Sequence, residues 1–301
     1  MYDLIVIGGG PAGLTAAIYA IRKRLNMLLI SKDLGGKTNF HLELPDQENY
    51  LVIRGVEVVD KFKSELEYLN FARRMEKVEK VLKKDDHFVV QLAGDVELET
   101  KAVIVATGAK QQFLDVPGER EYLSRGLCYS AISYAPLFID KKAVVIGGGD
   151  LALRSAAELS TVAERVHLVG ATGPILETPL GRKVKESPNV TVLEGYSVTK
   201  VLGNGYAERV VVRDPDGSEM DIPADGTFVE MALRPNSQMV ADLVETNEEG
   251  HIIVDCQSRT NVPGIFAAGD VTHIMAEQVL VAVGEGVKAA LSAFEYLLPR
   301  M

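Results

Sequence analysis

The chain has 301 residues, a soft prior for two domains at ~150 residues each, and its 47% hydrophobic and 25% charged residues exclude disorder and fibrous repeats. Lys and Arg number 32 against 42 Asp and Glu, and the net charge of −10 makes nucleic acid and anionic membrane surfaces poor partners. Two cysteines, Cys128 and Cys256, with no CxxC and no Cys/His cluster, exclude a disulfide scaffold, zinc ribbons, iron–sulfur sites and an internal dithiol pair.

The N-terminus lacks the basic segment of a signal peptide, and no apolar run approaches the ~20 residues of a membrane helix; a soluble, cytoplasmic protein is expected. Leu4-Ile5-Val6-Ile7 reads as a buried parallel strand. Gly8-Gly9-Gly10-Pro11-Ala12-Gly13 follows, then Leu14, Ala17, Ile18 and Ile21 at helical spacing. Strand, GxGxxG and helix in that order form a dinucleotide-binding signature: Gly8 for the tight turn, Gly10 for close approach of a diphosphate, Gly13 for helix–strand packing. Arg22-Lys23-Arg24 suits a helix C-terminus, and Ser31, Lys32 and Asp33 end the second strand. Arg73, Arg74, Lys77, Lys80, Lys83 and Lys84 read as a solvated hairpin face. Ala102–Val105 is a buried strand that ends in the small-residue turn Ala106-Thr107-Gly108.

The signature then repeats. Ala143–Ile146 leads into Gly147-Gly148-Gly149-Asp150-Leu151-Ala152 and a second helix, so the fold expected is α/β with two Rossmann-like domains. Phe228–Asn236 occupies in the second half the place of Ala102–Gly108. Thr260–Asp270 delivers Asp270 to a glycine turn at Gly269, where its carboxylate can accept hydrogen bonds from ribityl hydroxyls. The five histidines show no metal-ligand spacing, and no metal is expected.

Taken together, the first GxGxxG, Gly35-Gly36, Glu48-Asn49-Tyr50, Ala106-Thr107-Gly108, the second GxGxxA, Pro263–Asp270 and the final Glu277-Gln278-Val279 to Ala290 stretch resemble the low-molecular-weight thioredoxin reductases. The flavoprotein subunit of alkyl hydroperoxide reductase is similar in the same places. The resemblance implies a three-layer FAD-binding domain at 1–115 and 246–301, with an NAD(P)-binding-like domain, 116–245, inserted into it. It implies FAD contacts at Gly8, Gly10, Pro11, Ala12 and Gly13, at Ser31, Lys32, Gly36 and Asn49, and at Ala106, Thr107 and Gly108. Gly269, Asp270, Glu277, Gln278 and Val279 complete that implied set, Gln278 towards the flavin pyrimidine edge. Glu277 stands where the family has arginine, which would lower the flavin potential. A homodimer is implied as well.

Two departures matter. The family's CxxC is replaced by Ser130 and Ser133, and a hydroxyl cannot perform thiol–disulfide exchange. No protein residue is then expected to be catalytic; the chemistry rests on FAD. The family's His-Arg-Arg cluster for the NADPH 2′-phosphate is replaced by Gly170-Ala171-Thr172, neither basic nor acidic. Weak NADPH binding follows, and Gly170→His with Ala171→Arg and Thr172→Arg is expected to improve it. Tyr129 and Tyr134 flank the serines as stacking or packing residues, and Cys128 is a candidate peroxide-sensing thiol. Three functions stay open: an FAD oxidoreductase exchanging electrons with a redox protein, such as ferredoxin, or a small molecule; an NAD(P)H-dependent thioredoxin or ferredoxin–NADP reductase-like enzyme; and a non-catalytic flavin-binding regulator.

Overall fold

The computed structural model describes residues 1–39, 42, 55–68 and 72–301, the side chains of 55, 56, 58 and 65–68 apart. The described residues of Met1–Asn39, Val52–Lys110 and Arg234–Met301 form one compact unit, and those of Gln111–Leu233, with Leu42, form another. The second is an insertion in the chain of the first.

The first unit begins with β1 (Tyr2–Ile7), whose last four residues are all buried, as its β-branched run requires. Helix α1 (Pro11–Arg22) follows with Pro11 at its start, then β2 (Met27–Ile30), α2 (Gly55–Tyr68) and the short β3 (Arg73–Arg74). Arg73 and Arg74 are therefore not part of the hairpin: they pair in parallel with Leu29 and Ile30. The hairpin itself is β4 (Val78–Lys83) and β5 (Phe88–Leu92). Strand β6 (Val96–Val105) alternates exposure where it pairs with β5 and is buried throughout Ala102–Val105, where it joins the parallel sheet beside β1. The short β7 (Ala109–Lys110) ends this stretch.

The inserted unit runs through α3 (Glu119–Tyr122), β8 (Leu127–Cys128), β9 (Lys142–Ile146), α4 (Asp150–Leu159), β10 (Arg165–Val169), α5 (Pro179–Glu186) and β11 (Val190–Leu193). An antiparallel meander, β12 (Ser197–Gly203), β13 (Ala207–Arg213) and β14 (Glu219–Pro223), precedes β15 (Gly226–Val229). Its parallel sheet has the order β11-β10-β9-β15-β8. Phe138 and Phe228, both fully buried, meet edge-on at 4.9 Å in its core.

The chain returns to the first unit through β16 (Arg234–Pro235), which pairs with β7, then β17 (Ile265–Ala267) beside β6, and the terminal α6 (Val279–Leu297). The seven-stranded sheet reads β3-β2-β1-β6-β5-β4 with β17 on β6, and α1 and α6 share one core cluster on its face. Two mononucleotide-type α/β units thus arise from the two glycine signatures. Among the described residues no helix is long and apolar enough to cross a membrane.

Candidate functional site

In the first unit the glycines are dictated by contact. A Cβ on Gly8 would lie 2.2 Å from the Ala106 carbonyl oxygen, and one on Gly13 would lie 1.8 Å from that of Gly8. A Cβ on Gly10 would instead meet open space, and no side chain caps α1 there. The first turn of α1 also carries no acidic residue. An uncapped helix start behind an open glycine is where a diphosphate fits. Pro11 and Ala12 complete that turn.

Other segments close around it. Gly36, in the left-handed region at φ +57°, brings its chain against Gly10. The Ser31 hydroxyl donates to the Asp33 carbonyl at 2.7 Å, the Asp33 carboxylate accepts from the Gly36 N–H at 3.1 Å, and Lys32 is exposed. Thr107 donates its hydroxyl to the Asn236 carbonyl at 2.6 Å, and the Asn236 amide returns a bond to the Thr107 carbonyl at 2.9 Å. That pair fixes Ala106-Thr107-Gly108 beside the start of α1. Gly269, at φ +76°, packs on Ala12, and its N–H donates to Glu285 of α6 at 2.9 Å.

The acid at the turn has a partner. Asp270 is paired with Lys37 at 2.6 Å. Glu277 lies close enough to sense both: desolvation raises its carboxyl above the ordinary range, Lys37 opposes the shift and Asp270 adds to it. Gln278, in extended backbone, and Val279 open α6 beside these groups. Asn49, Glu48 and Tyr50 lie outside the described residues. The structure thus brings Gly10, Ala12, Gly36, Gly269 and Asp270 around the start of α1.

The inserted unit carries the second turn. A Cβ on Gly147 would meet the Glu230 carbonyl oxygen at 2.2 Å, and Ala152 is fully buried. Here the helix start is less open to an anion, because Asp150 heads α4 and pairs with Arg154 at 2.8 Å. At the end of β10, Gly170 is at φ +95°, Ala171 is fully buried and Thr172 is exposed. The proposed triple replacement is corrected by this: Ala171→Arg would drive a charge into the core, and Gly170→His would strain the turn. Only Thr172 can take a longer side chain without burial or backbone strain. The turn is also not free of acid, since Glu194, just after β11, accepts the Gly173 N–H at 3.2 Å.

Ser130 and Ser133 face each other, their oxygens 2.9 Å apart. The turn is tied to Glu230 at the end of β15, which accepts the Ala131 N–H at 2.6 Å and the Ser155 hydroxyl of α4 at 2.8 Å. Burial pushes the Cys128 thiol up to about 11, so it is not the activated thiolate a peroxide sensor needs. Tyr129 is buried, donates to Glu119 at 3.1 Å and meets Phe113 edge-on, which makes it a packing residue. Tyr134 accepts the Leu42 N–H at 3.1 Å.

Residues 2–286 match the pyridine nucleotide-disulphide oxidoreductase family. The chain belongs to this family. One subunit of alkyl hydroperoxide reductase in Pseudomonas putida is 37% identical over 99% of this chain, and the chain spans 58% of that relative's length. Thioredoxin reductase from Streptococcus pyogenes MGAS5005 superposes with a TM-score of 0.88 at 35% identity, covering 99% of this chain and 98% of that one. A ferredoxin–flavin thioredoxin reductase from Clostridium acetobutylicum gives 0.50 at 28% identity, covering 99% and 98%. Within that family the chain is similar to thioredoxin reductase along nearly its whole length. Within that family reading, Lys37, Glu285, Glu230 and Glu194 are the polar residues that reasoning from motifs missed. Lys37 directly follows Gly36, and Glu285 lies between Gly284 and Gly286 in the final helix; Glu230 and Glu194 carry no such local signal.

Proposed function

We propose that this flavoprotein passes electrons through FAD to or from an external redox protein or small molecule, with no dithiol of its own and without NADPH as donor. The first unit, which resumes at Arg234 rather than at 246 and leaves off at Lys110 rather than at 115, is the FAD domain, and the second unit is the nucleotide-binding-like insertion. The supporting observation is the serine pair: the turn is fully built, anchored to buried Glu230, and presents two hydroxyls 2.9 Å apart. Hydroxyls have no redox couple comparable to a dithiol. FAD, when bound, supplies the electron-transfer chemistry; the residues of the first unit bind it, Gly10 and the α1 N–H groups at the diphosphate, Asp270 at the ribityl chain.

Against NADPH stand the absence of a cation at 170–172 and the carboxylate of Glu194 at Gly173, which would repel a 2′-phosphate. Ferredoxin is one donor class, supported by the name of the Clostridium relative; homodimer formation and a cytoplasmic location follow the family resemblance. The Glu194 carboxylate at Gly173, an acid placed where ribose hydroxyls would lie, supports a second reading, an NADH-dependent reductase. Anaerobic stopped-flow mixing with NADPH, NADH and reduced ferredoxin tests both. Bleaching of the flavin by ferredoxin but not by micromolar NADPH is expected; fast saturable bleaching by NADPH would overturn the proposal, and bleaching by NADH alone would select the second reading.

A further inference from the structure

We infer that Lys37 is a cofactor-binding residue that neutralises the FAD diphosphate at a turn where, among the described residues, three carboxylates gather. The inference rests on the reading of the Gly10 turn as the diphosphate site. Three acids gather on the far side of that turn: Asp270, Glu285 through its bond to the Gly269 N–H, and Glu277. A doubly charged diphosphate added there would face all three. The α1 N-terminus supplies only about half a positive charge, and Lys288 is directed to Glu285 at 3.8 Å. Lys37 is placed to supply the rest. Its neighbour Gly36 abuts Gly10, with a Cβ position 3.1 Å from the Gly10 Cα, and its own Nζ lies 2.6 Å from Asp270.

The pair also has room to rearrange. The Lys37 side chain is 33% exposed and that of Asp270 only 12%. A long flexible stem on a third-exposed lysine can turn its ammonium from the acid towards an anion with no backbone movement. In that exchange Asp270 is released to accept ribityl hydroxyls while the ammonium meets the diphosphate. A plain alternative is that Lys37 only holds Asp270 in place.

ADP separates the two, because it carries the diphosphate and adenosine but no ribityl chain. The full chain, deflavinated by dialysis, is titrated with FAD and with ADP in wild type, Lys37→Gln, Lys37→Arg and Asp270→Asn. Lys37→Gln is expected to weaken FAD and ADP by a similar factor, on the order of 10- to 100-fold for one charge-assisted contact. Lys37→Arg should recover most of both, and Asp270→Asn should weaken FAD while tightening ADP, because it removes an opposing charge and frees the Lys37 ammonium. Raising the salt should weaken ADP binding to wild type more than to Lys37→Gln. Loss of FAD affinity without loss of ADP affinity in Lys37→Gln, no loss of either, or failure of ADP to bind wild type would overturn the inference. Failure of wild type to bind FAD would instead overturn the reading of the Gly10 turn. Lys37→Met, which keeps the stem, repeats the test if the glutamine variant is unstable.

Discussion

Glu277 is a carboxyl whose surroundings work against its charge: desolvation and the nearby Asp270 favour the protonated form, and only Lys37 opposes them. A carboxyl raised in the folded state favours folding at acid pH, and that contribution is lost as pH rises through the folded value, above the ordinary 4.5. Glu277→Gln is therefore expected to raise the melting temperature of the deflavinated chain at pH 7 to 8, with the gain shrinking to nothing below about pH 4. A gain independent of pH would show that its charge is already well solvated. The two thiols divide by the same reasoning. Cys128 is buried with its pKa pushed to about 11, whereas Cys256 is exposed. Titration with a chromogenic disulfide at neutral pH should count one thiol in the native protein and two after denaturation, and Cys256→Ser should remove the native one. A fast second thiol in the native protein would return Cys128 to the candidates for redox sensing.

Between α1 and α6 the controlling quantity is distance. A Cβ on Gly286 would lie 2.1 Å from the Ala12 carbonyl oxygen and 2.3 Å from the Thr15 hydroxyl. Thr15 is buried and donates to the carbonyls of Pro11 at 2.9 Å and Val283 at 3.1 Å, so neither neighbour can yield cheaply. Gly286→Ala is expected to destabilise the fold by about 1–3 kcal/mol through overpacking, read from urea unfolding, and to weaken FAD retention because α1 carries the Gly10 turn. What the sequence makes legible is of this kind. Each glycine signature is followed at once by the helix it serves, and the clashes that forbid side chains at Gly8 and Gly13 come from residues of the same unit. What stays hidden is joined only by folding. Glu230 meets Ala131 from 99 positions away, Lys37 meets Asp270 across most of the chain, and Glu194 arrives at the β10 turn from the neighbouring strand. Arg73 and Arg74 mislead for the same reason, because a two-residue parallel strand at a sheet edge has no periodicity to read. Asn49 belongs to neither group, as it lies outside the described residues.

At the scale of the whole molecule an NADPH-driven disulfide reductase needs a flavin site, a dithiol and a 2′-phosphate site together, and the serines at 130 and 133 and the uncharged stretch 170–172 both fall in the inserted unit. They are separable. The Ser130 and Ser133 oxygens stand 2.9 Å apart on a turn anchored by Glu230 and Ser155, so cysteines there would start close to bonding distance. Ser130→Cys with Ser133→Cys is expected to form a disulfide, seen as two thiols that become countable only after reduction. Glu230→Ala in that background should loosen the turn, since it leaves the buried Ala131 N–H and the Ser155 hydroxyl without this acceptor, at about 1–3 kcal/mol. The cysteine pair alone should still leave NADPH-dependent reduction of the disulfide at background, because no cation stands at 170–172. Adding Thr172→Arg with Glu194→Gln places a positive charge and removes a negative one where the 2′-phosphate would lie. One charge-assisted contact is worth roughly 1.5–3 kcal/mol, or about 10- to 150-fold in NADPH affinity. Gain of NADPH-driven turnover only in the combined variant is the expected outcome. Equal turnover in the cysteine pair alone would show that the unmodified chain already accepts NADPH.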